Sequence, residues 1–255
     1  MSIPAQSGLK FVFRVCGAGE AGPAPGSLRP DEVHVWSARL PAPLGDIPRL
    51  AKLLAADEKE RAERIRFERN RNGFIFARGM LRILLGAYLD LPPAELHFAY
   101  SNHGKPSLAS PPACALAFNL SDTEGMVVFA FARQRRLGID VEKVRRDFEV
   151  EAIAERFFSL AELDALRGIP EEHRHAAFFC CWTRKEAFIK ALGEGLSHPL
   201  HRFDVTVSPA EPAALLGTRP DPSEAGRWVM RDVPVTPGHV AALAVEANPW
   251  AAISP

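Results

Sequence analysis

LGIDVEKV, residues 137–144, alternates apolar and acidic side chains in a short run. Residues two apart on a β-strand point the same way, so Leu137, Ile139 and Val141 share one face while Asp140 and Glu142 share the other. Two carboxylates held side by side repel each other unless a cation or a donor sits between them. A solvated face of an edge strand accounts for them blandly, because most acidic residues are exposed. A hard cation such as Mg2+, which takes oxygen ligands from one or two carboxylates and the rest from phosphate and water, accounts for them with chemistry. The octapeptide alone leaves both readings open.

Working outward, the octapeptide divides the chain. Before it come strand-like VHVWSARL, a long stretch of helical periodicity from LLAADEKE to AYLDL that LPPAEL ends, and then LHFAYS, ALAFNLSD and MVVFAFAR as strands. After it come helical FSLAELDALRGI and AAFFCCWTRKEAFIKALGEG, then strand-like FDVTVSP, RWVMRDVPV and VAALAVEA. The shared order predicts an α+β protein of two similar halves, residues 1–134 and 135–255, joined near RQRR at 133–136. Residues 1–30 read as a flexible lead-in. Within them FVFRVC followed by GAGEAG matches the spacing of a dinucleotide-binding glycine loop, but PAPGSLRPDE follows where that loop must open a helix.

The composition narrows the classes. Of 255 residues, 47% are hydrophobic and 24% charged, and 31 basic side chains balance 31 acidic ones. No bulk field advertises a nucleic-acid or membrane partner, and no apolar run approaches the roughly 20 residues that span a bilayer. A cytoplasmic protein is the default expectation. Cys16, Cys114, Cys180 and Cys181 have no zinc-site spacing and read as reduced core residues.

The second informative stretch is FFCCWTRKEAFIKALGEGL, residues 178–196. On a helical wheel Phe178, Cys181, Trp182, Phe188, Ile189 and Leu192 fall on an arc of about 120°. Lys185 lies inside that arc, and Glu186 and Lys190 border it. An i,i+4 pair explains Glu186 and Lys190. It leaves Lys185, which needs either a route to water or an anion.

Gly138-Ile139-Asp140 with Glu142, followed by Trp182-Thr183-Arg184-Lys185-Glu186 and Lys190, resembles the Sfp-type 4'-phosphopantetheinyl transferases, whose motifs read (V/I)G(I/V)D-x-E and W-(S/T)-x-K-E-(A/S)-x-x-K. Gly195-Leu196, His103-Gly104-Lys105-Pro106 and Phe118-Asn119-Leu120-Ser121 match further family segments in the same order. The resemblance implies transfer of 4'-phosphopantetheine from coenzyme A to a serine of an acyl or peptidyl carrier protein, with release of 3',5'-ADP. It implies two similar domains in a pseudo-twofold relation with the active site in the cleft between them, that Asp140, Glu142 and Glu186 hold Mg2+, that Lys185 and Lys190 contact phosphate, and that Lys105 and Ser121 lie against coenzyme A. Phe158-Ser159-Leu160-Ala161-Glu162 resembles the family's F-S-x-x-E, which implies that Glu162 is the general base that deprotonates the acceptor serine and, with Lys190, part of the catalytic set. Ser159 and Glu162 also form the S-x-x-E capping box of a helix.

One departure stands out. After FNLS the family carries histidine against the 3'-phosphate, whereas this chain has Asp122, which would repel it unless turned away or compensated. The basic run Arg61, Arg64, Arg66, Arg69, Arg71, Arg78 and Arg82 reads mostly as a solvated helix face, with Arg78 and Arg82 as candidates for the coenzyme A phosphates. A monomer is expected. A Mg2+-dependent phosphodiesterase such as a nuclease, and a module that binds coenzyme A without turnover, are the rival readings.

Overall fold

The computed structural model describes residues 8–17, 27–110, 115–147, 149–195 and 198–249. It is an α+β protein whose first half carries β1 (Lys10–Val15), β2 (Glu32–Arg39), α1 (Ile47–Ala51), α2 (Ala56–Arg64), α3 (Glu68–Leu89), β3 (His97–Tyr100), β4 (Pro106–Ser110), β5 (Leu116–Thr123) and β6 (Met126–Arg133). The second carries β7 (Leu137–Lys143), α4 (Val150–Phe157), α5 (Leu160–Arg167), α6 (Glu171–Leu192), β8 (Phe203–Val205), β9 (Leu215–Thr218), β10 (Trp228–Asp232) and β11 (His239–Glu246). The element order repeats. In one sheet β2 pairs with β6 and β6 with β5; in the other β7 pairs with β11 and β11 with β10, all antiparallel. Each half inserts three helices after its first strand of this trio, then a two-stranded ribbon, β3–β4 or β8–β9.

Two expectations need correction. The lead-in is not all irregular: β1 pairs in parallel with β2 and extends the first sheet. Of the glycine loop Gly17–Gly22, all but Gly17 lies outside the described residues, as do Cys114 and Leu196. The long helical stretch is two helices, because the backbone at Ile65 turns extended (ψ 113°) after α2 and Phe67 is extended again (ψ 126°) before α3.

The apolar residues form three clusters. Trp36, Leu50, Phe76, Leu81 and Phe129 fill the space between the first sheet and its helices. Phe178, Phe188, Ile189, Phe203 and Ala242 do the same around α6. Between the sheets lies a layer shared by both halves, with Val33, Val35, Val128 and Ala130 from one meeting Ile139, Val141 and Leu243 from the other. Leu137, Ile139 and Val141 do share a buried face, and it is this layer that they enter.

Helix α6 is buried on nearly every side, with Phe179, Cys180, Thr183, Arg184 and Lys185 as enclosed as its apolar arc. Such a helix is a core element, and its polar side chains need partners from the chain itself. Arg184 finds them in Asp232, Thr206 and the carbonyls of Ser208 and Glu211. The approach of α6 to β7 is set at Gly138, where a Cβ would lie 2.2 Å from the Ala187 carbonyl oxygen and 2.3 Å from the Ala191 nitrogen. Only glycine permits that contact.

Candidate active site

Because α6 lies flush on β7 at Gly138, the side chains two residues further along the strand come up against the helix. Asp140, only 4% exposed, accepts a hydrogen bond at Oδ1 from Lys190 Nζ (2.7 Å) and from Ser121 Oγ (2.8 Å). Lys190 Nζ also donates to Ser121 Oγ at 2.8 Å, which closes a triangle of strand β5, strand β7 and helix α6. The exposed-edge reading of Asp140 is therefore overturned.

Strand β7 has no ladder partner on its β5 side. In its place β5 offers polar side chains at every second position: Asn119 Oδ1 accepts the Ile139 N–H (2.8 Å), Ser121 meets Asp140, and Thr123 Oγ1 donates to Glu142 Oε2 (3.4 Å). Asn119 and Thr123 had no assigned role in the sequence reading. Their signal was the alternation Asn-x-Ser-x-Thr on a strand followed by another strand with acids at the same period.

Near this seam Asp140 Oδ2 and Glu186 Oε1 are buried with no hydrogen-bond partner among the described residues. Burial and then the Asp140 charge push the Glu186 carboxyl up to about 7, with Lys190 opposing. The same two causes raise Glu142. Glu186 and Lys190 line a cavity of about 660 Å3 together with His103, Lys105, Asn119 and Gly193, so it is walled by elements of both halves. Lys105 Nζ donates to the carbonyls of Leu137 (3.1 Å) and Lys190, holding the β3–β4 turn to the end of α6. Burial, with help from Arg136 and Lys190, lowers it to about 8.

Four other expected site residues lie elsewhere. Lys185 is fully buried, and its ammonium pairs with Glu162 Oε1 at 2.7 Å, so its anion is a carboxylate of the chain. Glu162 itself is 2% exposed. Arg82 is buried on Glu58 (2.7 Å) and the carbonyls of Pro93 and Leu96. Arg78 donates to the Tyr100 hydroxyl (2.9 Å) among the rings of Phe74, Phe98 and Tyr100. The helical spacing of the arginines is real, but their facing carboxylate, Glu58, is supplied by α2, which no i,i+4 rule on α3 could reveal. Asp122 points to the face of β5 opposite Ser121 and lines a separate hollow of about 630 Å3 with Arg61, Arg69 and Phe74.

A family model of the 4'-phosphopantetheinyl transferase superfamily matches residues 136–244, and one of the 4'-phosphopantetheinyl transferase N-terminal region matches residues 44–134. Over 225 residues the chain is 36% identical to the 4'-phosphopantetheinyl transferase HetI of Nostoc sp., covering 88% of this chain and 92% of that one. The chain belongs to the 4'-phosphopantetheinyl transferase superfamily. This transferase is also 33% identical over 162 residues to 4'-phosphopantetheinyl transferase psf-1 of Bacillus pumilus, covering 64% of this chain and 67% of that one. Among solved structures, the holo-[acyl-carrier-protein] synthase of Thermotoga maritima matches 43% of this chain and 61% of its own, at 25% identity and a TM-score of 0.33. The family's reaction moves phosphopantetheine from coenzyme A to carrier proteins, and the two family matches meet between residues 134 and 136, where β6 gives way to β7.

Proposed function

We propose that this transferase uses Mg2+ held by Asp140, Glu142 and Glu186 to move 4'-phosphopantetheine from coenzyme A in the 660 Å3 cavity to the serine of an acyl or peptidyl carrier domain. The observation that carries the metal reading is the pair of orphaned buried oxygens, Asp140 Oδ2 and Glu186 Oε1. Unpartnered buried acceptors that repel one another ask for a cation, and oxygen donors suit a hard one. Among the described residues no three His, Cys, Asp or Glu side chains are already grouped to hold a metal ion, so the metal reading rests on the two orphaned oxygens, with phosphate and water completing the shell of a Mg2+ ion. When bound, the ion neutralises charge on the pyrophosphate.

The chain's own part is positioning and charge. Lys190 carries a fixed ammonium at the mouth of the cavity, beside the carboxylates, where negative charge on the leaving phosphate builds. Ser121 anchors both Lys190 and Asp140, so its place is behind the metal ligand instead of against coenzyme A alone. In the reaction the carrier serine oxygen forms the new P–O bond, the bond to 3',5'-ADP breaks, and the serine proton passes to solvent. The repeat of element order favours two halves, 1–134 and 135–255, related by a pseudo-twofold axis with this cavity between them. A monomer acting in the cytoplasm, where its donor is made, completes the reading.

The test is mass spectrometry of an apo-carrier incubated with coenzyme A and Mg2+. Wild-type protein adds one phosphopantetheine. Asp140→Asn and Glu186→Gln lower kcat by about a hundredfold to a thousandfold while far-UV circular dichroism stays unchanged. Full activity in both variants rules the assignment out.

A further inference from the structure

Among the described residues of the second half Glu162 and Lys185 form the most deeply buried ion pair, and neither lines the cavity. Their hydrogen-bonding capacity is spent within the chain. Lys185 has three ammonium protons, and they meet Glu162 Oε1 (2.7 Å), the Leu200 carbonyl (2.9 Å) and the Phe203 carbonyl (2.7 Å). The Phe203 ring lies against the same ammonium at 4.2 Å. Glu162 Oε2 accepts the Ser159 N–H (2.9 Å) and Oε1 accepts the Val205 N–H (2.8 Å). A general base must reach the proton it takes. A carboxylate 2% exposed and held by two amides and an ammonium has no such reach.

We infer that the Glu162–Lys185 pair is a pin that fixes the rotation of α6 and thereby aims Glu186 at the cavity, and that neither residue touches coenzyme A or the acceptor serine. The inference rests on the proposed role of Glu186 as a cation ligand. The geometry is that of a helix gripped on two sides. Consecutive residues of an α-helix stand about 100° apart, so holding Lys185 against α5 and the Leu200–Val205 segment sets the direction of the next side chain. One residue beyond Glu186, the Ala187 carbonyl sits in the slot left by Gly138. Glu186 lies between the pin and the slot.

The pair also explains why its loss would imitate the loss of a base. Removing one partner leaves the other charge buried and unpaired, which is strongly disruptive, whereas replacing both by neutral groups of similar volume is often tolerated. In Glu162→Gln/Lys185→Met the methionine fills the lysine stem's volume, and the glutamine keeps an amide oxygen for the Val205 N–H. Both positions act as positioning residues, so the double substitution should restore the part of the loss that comes from an unpaired buried charge, while the Leu200 and Phe203 carbonyls and the Ser159 N–H stay without their partners.

The experiment compares Glu162→Gln, Lys185→Met and the double variant, with Leu166→Ala as a purely packing control from the same core. Readouts are Tm, Mg2+ affinity by calorimetry on the free protein, and the pH profile of kcat. Expected are a lower Tm and at least about tenfold weaker Mg2+ binding in each single variant. The double variant melts above either single variant and returns to within about tenfold of wild-type kcat with the acidic limb intact, and Leu166→Ala lowers Tm with Mg2+ affinity unchanged. A double variant that melts like wild type yet stays about a thousandfold slower with its acidic limb lost makes Glu162 the base and overturns the inference. Single variants with wild-type Mg2+ affinity overturn it too. If wild-type protein neither binds Mg2+ nor modifies any carrier, it is the proposed function that fails, and Tm rescue in the double variant still decides the pin.

Discussion

Glu186 carries the pH dependence of this site at the residue scale. Its carboxyl sits near 7, above the ordinary 4.5, because burial and Asp140 disfavour the anion. Below about 7 the native protein therefore holds a proton there that a divalent cation must displace. Mg2+ affinity should fall about tenfold for each unit of pH below 7 and level off above it. The stability sign follows from the same shift. A raised acid pKa means that the group's contribution declines as pH rises from about 4.5 to 7, since the unfolded chain ionises first. Bound Mg2+ relieves that repulsion, so thermal melts should show a larger Mg2+-induced rise in Tm at pH 8 than at pH 6. An equal rise at both values would show that Glu186 does not ligate the ion. The identity of Glu186 and Asp140 as candidates was legible in the sequence. The protonation of Glu186 was not, because it depends on the charge and burial around it.

Two elements, β7 and α6, define the site, and one residue sets their separation. Gly138→Ala would drive a methyl group into the Ala187 carbonyl and the Ala191 amide, and backbone atoms cannot rotate away as a side chain could. The expected cost is about 2 to 3 kcal/mol, a fall in Tm of roughly 4 to 12 °C, and weaker Mg2+ binding as Glu186 and Lys190 move off. A melt indistinguishable from wild type would remove Gly138 as the spacer. At this scale the sequence was partly readable. The period-2 alternation of β7 and the capping box of α5 are local patterns, and both hold, with Ser159 Oγ accepting the Glu162 N–H at 3.2 Å. The partners of Lys185, Arg78 and Arg82 were not readable, because the carboxylates that neutralise them come from neighbouring helices, 23 to 24 residues away for Glu162 and for the Glu58 bound to Arg82.

Over the whole molecule, the layer of Val33, Val35, Val128 and Ala130 against Ile139, Val141 and Leu243 makes each half part of the other's core. Neither sheet can separate without exposing it, and apolar area removed from water is the main stabilising term. The halves should therefore unfold together. Single-tryptophan variants retaining Trp36 of the first half or Trp228 of the second should report one coincident urea transition. Two midpoints would mean that the shared layer is weaker than either flanking core.

The amino-acid sequence by itself determined the α+β class, the strand at 137–143, the helix that carries Lys185, Glu186 and Lys190, and the family, because these rest on local periodicity and on short motifs in fixed order. Only the tertiary structure decided which charged residues face the cavity and which are tied up within the chain. Lys185 and Lys190 lie on the same helix five residues apart, yet one ends on Glu162 in the core and the other lines the cavity and ends on Asp140. What separates them is the set of elements packed against each side of α6, and no spacing along a single helix encodes that.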